Sequence, residues 1–157
     1  MGGGQQQLQQ LSQELQALDE EIEEVEGEID ELETEKGEVD EAIEAIETLE
    51  TGSTVQVPLG GGAYLRAEVQ DIDEVIVSLG GGYAAEQEQG DAIEALQRRQ
   101  DLLDEQIAEL RGEVEGLEEE SQELEQQAQQ MQQQMQQQQM QQMQDQFSGE
   151  GDEGEDE

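Results

Sequence analysis

Apolar residues recur along two long stretches of this chain in steps of three and four, without a slip. The first stretch runs Leu8, Leu11, Leu15, Leu18, Ile22, Val25, Ile29, Leu32, Lys36, Val39, Ile43, Ile46. The second runs Ile93, Leu96, Gln100, Leu103, Ile107, Leu110, Val114, Leu117, Ser121, Leu124, Ala128, Met131, Met135. A stripe this narrow can be buried only against another helix. The pattern predicts one helix over residues 5–50 and a second over 91–146. At 1.5 Å per residue these are roughly 70 and 85 Å long. The fold class that follows is mainly α: a long antiparallel two-helix coiled coil with a β element at the bend.

Between the stripes the period changes to two. Val55, Val57 and Leu59 alternate up to Gly60-Gly61-Gly62, and Leu65, Ala67 and Val69 alternate after it. Val75, Val77 and Leu79 lead to a second triple glycine, then Tyr83-Ala84-Ala85. Residues 54–86 therefore read as two β-hairpins. Pro58 cannot donate to a ladder, so its strand is expected at an edge or distorted there. Gly52 is the expected C-cap of the first helix. About 32 residues cannot bury a core of their own. Without cysteine to staple them, the hairpins are expected to pair with hairpins of other chains, through Val55, Val57, Leu59, Leu65, Val69, Val75, Val77 and Leu79.

If the helices fold back on each other, Leu8 lies near Ala128 to Met131, and the second helix is the longer. Its surplus, Gln132 to Phe147, carries Met135, Met140, Met143 and Phe147. In the same register Arg99 approaches Glu35, and Arg111 approaches Glu26 or Glu33. Lys36 sits in the seam itself. These cations are read either as setting the register or as solvated surface charges.

Charge changes the picture most. The 157 residues include 44 acidic and 5 basic ones, for a formal net charge of -39. Acidic residues fill almost every exposed helical position, and at low ionic strength they repel one another. At about 1 M salt the Debye length falls to roughly 3 Å and most of that repulsion is screened. The chain therefore suits a salt-rich cytoplasm, as in halophilic archaea. Residues 148–157 contain only Ser, Gly, Asp and Glu and read as a solvated, disordered acidic tail. No apolar run is long enough to span a membrane. The amino terminus lacks the regions of a signal peptide, so a cytoplasmic protein is expected.

Chemistry is largely excluded. With no His or Cys there is no thiol or imidazole nucleophile and no usual zinc ligand. Neither triple glycine is followed by the Lys and Ser or Thr of a phosphate-binding loop. Asp71-Ile72-Asp73-Glu74 lacks the spacing of a calcium loop. The negative charge repels nucleic acid. No enzymatic activity, cofactor or metal is expected. The Gln-Met segment has two readings. Its methionines offer adaptable apolar contact to an unfolded chain, or the segment is a low-complexity extension that frays.

The layout resembles prefoldin, in particular the archaeal alpha-class subunits, which carry two hairpins where beta-class subunits carry one. The stretch Val55 to Ala67 looks like that family's first hairpin, and Asp73 to Glu86 looks like its second. The resemblance implies a hexamer of two alpha and four beta subunits, built on β-barrels of pooled hairpins. It implies an ATP-independent chaperone that captures non-native proteins and passes them to a group II chaperonin. Client contacts would lie at the far ends of the coiled coil: Leu8, Leu11 and Leu15 on one helix, Met131, Met135, Met140 and Met143 on the other. Two alternatives remain at this level. One is a structural coiled-coil adaptor that binds no client. The other is an acidic, charge-based chaperone for basic proteins.

Overall fold

The computed structural model describes residues 3–149, with the side chain of Leu79 outside that description. Helix α1 spans Gly3–Thr48. Four strands follow: β1 (Thr54–Gly60), β2 (Ala63–Glu68), β3 (Val75–Gly80) and β4 (Tyr83–Gln87). Helix α2 spans Gln89–Gly149. The order is the expected one, two long helices with two antiparallel hairpins between them. The chain divides into a hairpin unit, residues 28–110, and a terminal unit made of the described parts of 1–27 and 111–157.

Every position of both predicted stripes is buried or half-buried. In the hairpin unit Val39, Ile43 and Leu103 form a buried cluster, with Leu32, Ile93 and Leu96 packed against it. In the terminal unit Leu18, Val25 and Val114 are buried together with the polar Ser121. Burying a Val or Leu side chain stabilises by about 1.5–3 kcal/mol. A seam only two positions wide per heptad gathers these increments on one face, and leaves the rest of the helix surface to acid.

Polar contacts cross the seam of the hairpin unit. Arg99 pairs with Glu35, as the antiparallel count predicts. Lys36, from within the seam, reaches Asp104 at 2.6 Å. Gln100, the matching polar residue of the other stripe, donates to Asp40. The hydrogen bond and charge of Asp104 hold the Lys36 ammonium above its ordinary pKa, and the charges of Asp40 and Glu33 add to this.

The hairpins repeat one design. β1 pairs with β2 through Val55↔Ala67 and Val57↔Leu65, and the register slips between Pro58 and Gly60. β3 pairs with β4 through Val77↔Ala85, with the same slip between Ser78 and Gly80. Each slip places one extra residue, Leu59 or Leu79, in the strand before the turn. The two-residue turns are Gly61-Gly62, at φ 59 and 81, and Gly81-Gly82, at φ 62 and 82. Positive φ at both central positions is the type I′ geometry that matches strand twist, and glycine adopts it without a Cβ penalty. The distortion expected at Pro58 is this slip. The hairpins are separate two-stranded sheets.

The end of α1 differs from expectation. Gly52, at φ 91, does not cap the helix; it occupies the turn closed by the Ser53 N–H on the Glu50 carbonyl. The exposed carbonyls of α1 are met from α2 instead. The Gln89 side-chain amide donates to Ile46 O at 2.7 Å and Leu49 O at 3.2 Å. The Gln89 backbone N–H is in turn met by an Asp73 carboxylate oxygen at 3.4 Å. Thr51 Oγ1 accepts from the Ile72 N–H at 3.1 Å. The last turn of α1, the inter-hairpin linker and the first turn of α2 are thereby tied at one point. This tie starts α2 at Gln89, two residues before the predicted start. At its other end α2 runs through Ser148, whose hydroxyl bonds the Gln144 carbonyl, to Gly149. The first two residues of the expected tail are thus helical, and its remainder, 150–157, lies outside the described residues.

Gln89→Ala removes both amide bonds and is expected to cost about 1–3 kcal/mol. Gln89→Glu is expected to cost more, because a carboxylate cannot donate and is repelled by the negative end of α1. Thermal unfolding in molar KCl measures both. Lys36 contributes fully below its ordinary pKa of 10.5, and its contribution is lost as pH climbs through the raised folded value. Lys36→Gln is therefore expected to melt below the parent near neutral pH, and the gap is expected to close in strong alkali.

Candidate functional site

Among the described residues, exposed apolar side chains gather on two surfaces, with Leu102 exposed singly apart from both. The first lies on the hairpins. Strand alternation puts Val55, Val57 and Leu65 on one face, with Ala67 between them. Leu59 is 65% exposed and Leu65 55% exposed, and Val57 is also exposed. In the second hairpin Val77 is buried and Val75 half-buried. Val55 and Val69 are half-buried as well. The Val69 carbonyl and N–H bond Gly52 and Ser53, which extends the first ladder back toward α1. The expected pairing residues are thus divided: Val77 is already packed within the chain, whereas Leu59 and Leu65 face outward. Three exposed residues, Tyr64, Ile76 and Tyr83, fall outside the predicted face. Alternation places Ile76 opposite Val77, a signal that was present in the sequence.

The second surface is the end of the terminal unit. Here Met135 Sδ lies 3.5 Å from where a Cβ on Gly4 would stand. Met131 and Met135 are half-buried, as are Leu8, Leu11 and Leu15. The helix pair therefore extends as far as Met135, slightly beyond the predicted Met131. Past it every residue from Gln136 to Gly149 is exposed. Met140 is 71%, Met143 70% and Phe147 82% exposed. The step from Met135 to Met140 is five, which breaks the period. Met140, Met143 and Phe147 resume a three-four spacing of their own, turned about a third of a turn around α2 from the seam. The expected client-binding residues therefore fall into two groups, seam members and a displaced open stripe. Phe147 joins the second group by the same spacing.

Among the described residues no cluster of His, Cys, Asp or Glu has the geometry to hold a metal ion. Among them, too, no helix is long and apolar enough to cross a membrane.

These features can be set beside known proteins. Residues 18–150 match the family described as prefoldin subunit. A prefoldin subunit alpha of Halorubrum lacusprofundi is 74% identical over 109 residues, covering 69% of this chain and 72% of that protein. One from Halobacterium salinarum is 72% identical over 106 residues, covering 68% and 69%. A filamentous PFD from Methanocaldococcus jannaschii, solved by cryo-EM, is 28% identical at a TM-score of 0.48. It covers 68% of this chain and 96% of that one. With the family match spanning most of its length, the chain belongs to the prefoldin family, among its alpha subunits: non-enzymatic chaperones that assemble with other prefoldin subunits.

Proposed function

We propose that this chain is the alpha subunit of a hexamer with a second alpha and four beta subunits. The complex holds non-native proteins without ATP and delivers them to a group II chaperonin in a salt-rich cytoplasm. The observation that carries the reading is the open stripe Met140, Met143 and Phe147, which α1 does not cover. Unbranched methionine on a solvated helix adapts to apolar side chains of many shapes, as a binder of varied clients requires.

The hairpins supply the assembly half of the reading. Two separate two-stranded sheets leave strand edges unpaired, and such edges are templates for strands of other chains. Leu59 and Leu65 add apolar area beside those edges. Completing barrels with neighbouring subunits would cover both. Six helix pairs on one frame would then act together. Each open stripe holds a client weakly, several raise the effective concentration of the rest, and the client leaves by stepwise detachment.

Truncation after Leu124, which lies within the terminal unit, separates the two roles. Mixed with a one-hairpin beta subunit, the truncated chain is expected to give a complex of hexameric stoichiometry by light scattering. Its suppression of client aggregation in molar KCl is expected to fall several-fold. Unchanged suppression would remove the stripe from the mechanism, and a complex of lower order would place an assembly role in the terminal unit.

A further inference from the structure

Four of the five methionines of this chain, Met131, Met135, Met140 and Met143, follow one another closely on α2. They differ in access. Met131 and Met135 are half-buried, and Met135 packs against Gly4. Met140 is 71% and Met143 70% exposed, on a part of α2 that has no residue of α1 beside it. These two stand about one helical turn apart, on a surface bordered by Gln136, Gln139, Gln142 and Gln146. The chain has no Cys and no Trp, which leaves the thioether as its most readily oxidised side chain. Two of the three apolar members of the open stripe are therefore oxidisable sulfurs. The third is Phe147, with Asp145 between it and Met143.

We propose that Met140 and Met143 form a reversible oxidation site that switches capture off, with a neutral hydroperoxide as oxidant; the inference rests on the capture reading above. The thioether sulfur attacks the terminal peroxide oxygen. The S–O bond forms as the O–O bond breaks, and the sulfur gives up two electrons. The remainder of the peroxide leaves with the proton as water or an alcohol. The oxidant carries no charge, so Asp145 and the other carboxylates do not repel it. The sulfoxide is polar, and pressing its oxygen against an apolar client strips it of water. Without a client, water and the amide N–H groups of the bordering glutamines can meet that oxygen. Neither sulfur packs against α1, so oxidation removes apolar contact to a client and leaves the helix pair intact. The same change at Met135 sets a polar group against Gly4 and loosens the seam. Access thus imposes an order, in which capture is withdrawn before the helix pair is damaged. Return to the thioether takes two thiols, which become a disulfide while the oxygen leaves as water. This chain has no Cys, so a thiol-dependent sulfoxide reductase supplies them.

In the test, the full chain in molar KCl receives limiting hydrogen peroxide, is quenched with catalase and is mixed with an untreated beta subunit. Tandem mass spectrometry locates the added oxygen, circular dichroism follows the helices, and suppression of client aggregation measures capture. Met140 and Met143 are expected to gain oxygen several-fold faster than Met131 and Met135. At that dose capture is expected to fall several-fold with helix content unchanged, and to return on treatment with reductases for both sulfoxide epimers. Each variant is judged against its own untreated level. Met140→Leu with Met143→Leu is expected to hold that level through peroxide, because leucine keeps the helix propensity and the apolar surface but has no sulfur. Met131→Leu with Met135→Leu is expected to stay as sensitive as the parent. Equal rates at all these sulfurs, a loss that persists without Met140 and Met143, or their full oxidation with capture unchanged would overturn the proposal. If truncation after Leu124 weakens capture while oxidation does not, capture at this end survives and the switch fails. If truncation has no effect, the capture reading fails, whatever the order of oxidation.

Discussion

The constraint on which the rest of this structure depends is the narrowness of its apolar seam. Two positions per heptad are buried, and most of the other five are free to carry acid. The hydrophobic gain is thus concentrated on one line, while the repulsion of a net charge of -39 acts over the whole surface. That balance accounts for the continuity of the stripes, since a single slip would turn apolar residues outward and bring carboxylates in. It also gives weight to the few cations. Arg99 and Lys36 each meet a carboxylate across the seam in the hairpin unit. Such exposed pairs contribute little energy.

The hairpin unit adds a second device. Gln89 satisfies the last carbonyls of α1, and Asp73 from the linker reaches the Gln89 backbone N–H. Hairpins that could not fold alone are thereby held to the helix ends by hydrogen bonds as well as by chain connectivity. Their outward leucines and strand edges are left exposed. Chaperoning by this family needs no reacting group, which agrees with a chain lacking His and Cys. What the molecule exposes instead is unpaired strand edges on one unit and an apolar stripe on the other.

Much of this was legible in the residues, and the exceptions have physical causes. The seam was readable position by position because a seven-residue period is rigid. The triple glycines marked the turns, since few other residues adopt positive φ twice in succession. Arg99 and Glu35 could be paired by counting. The partner of Lys36 could not, because several carboxylates lay within reach of a long flexible side chain. Gly52 mimics a cap of α1 in sequence because the residue that meets its last carbonyls, Gln89, lies 40 positions from Leu49 and carries no local signature. At the end of the terminal unit, register counting places the surplus of α2 within about a turn. The separation of Met131 and Met135 from Met140 and Met143 depends on where α1 begins, because Met135 still packs against Gly4 while Met140 and Met143 have no residue of α1 beside them.

The central claim is that a narrow seam holds the helices together only where salt screens their acidic faces. Circular dichroism of the purified chain, with KCl raised from millimolar to molar, tests it most directly. Helix content and melting temperature are expected to climb steeply with salt and to level off only as the Debye length approaches roughly 3 Å. Full helicity with an unchanged melting temperature at low salt would contradict the account.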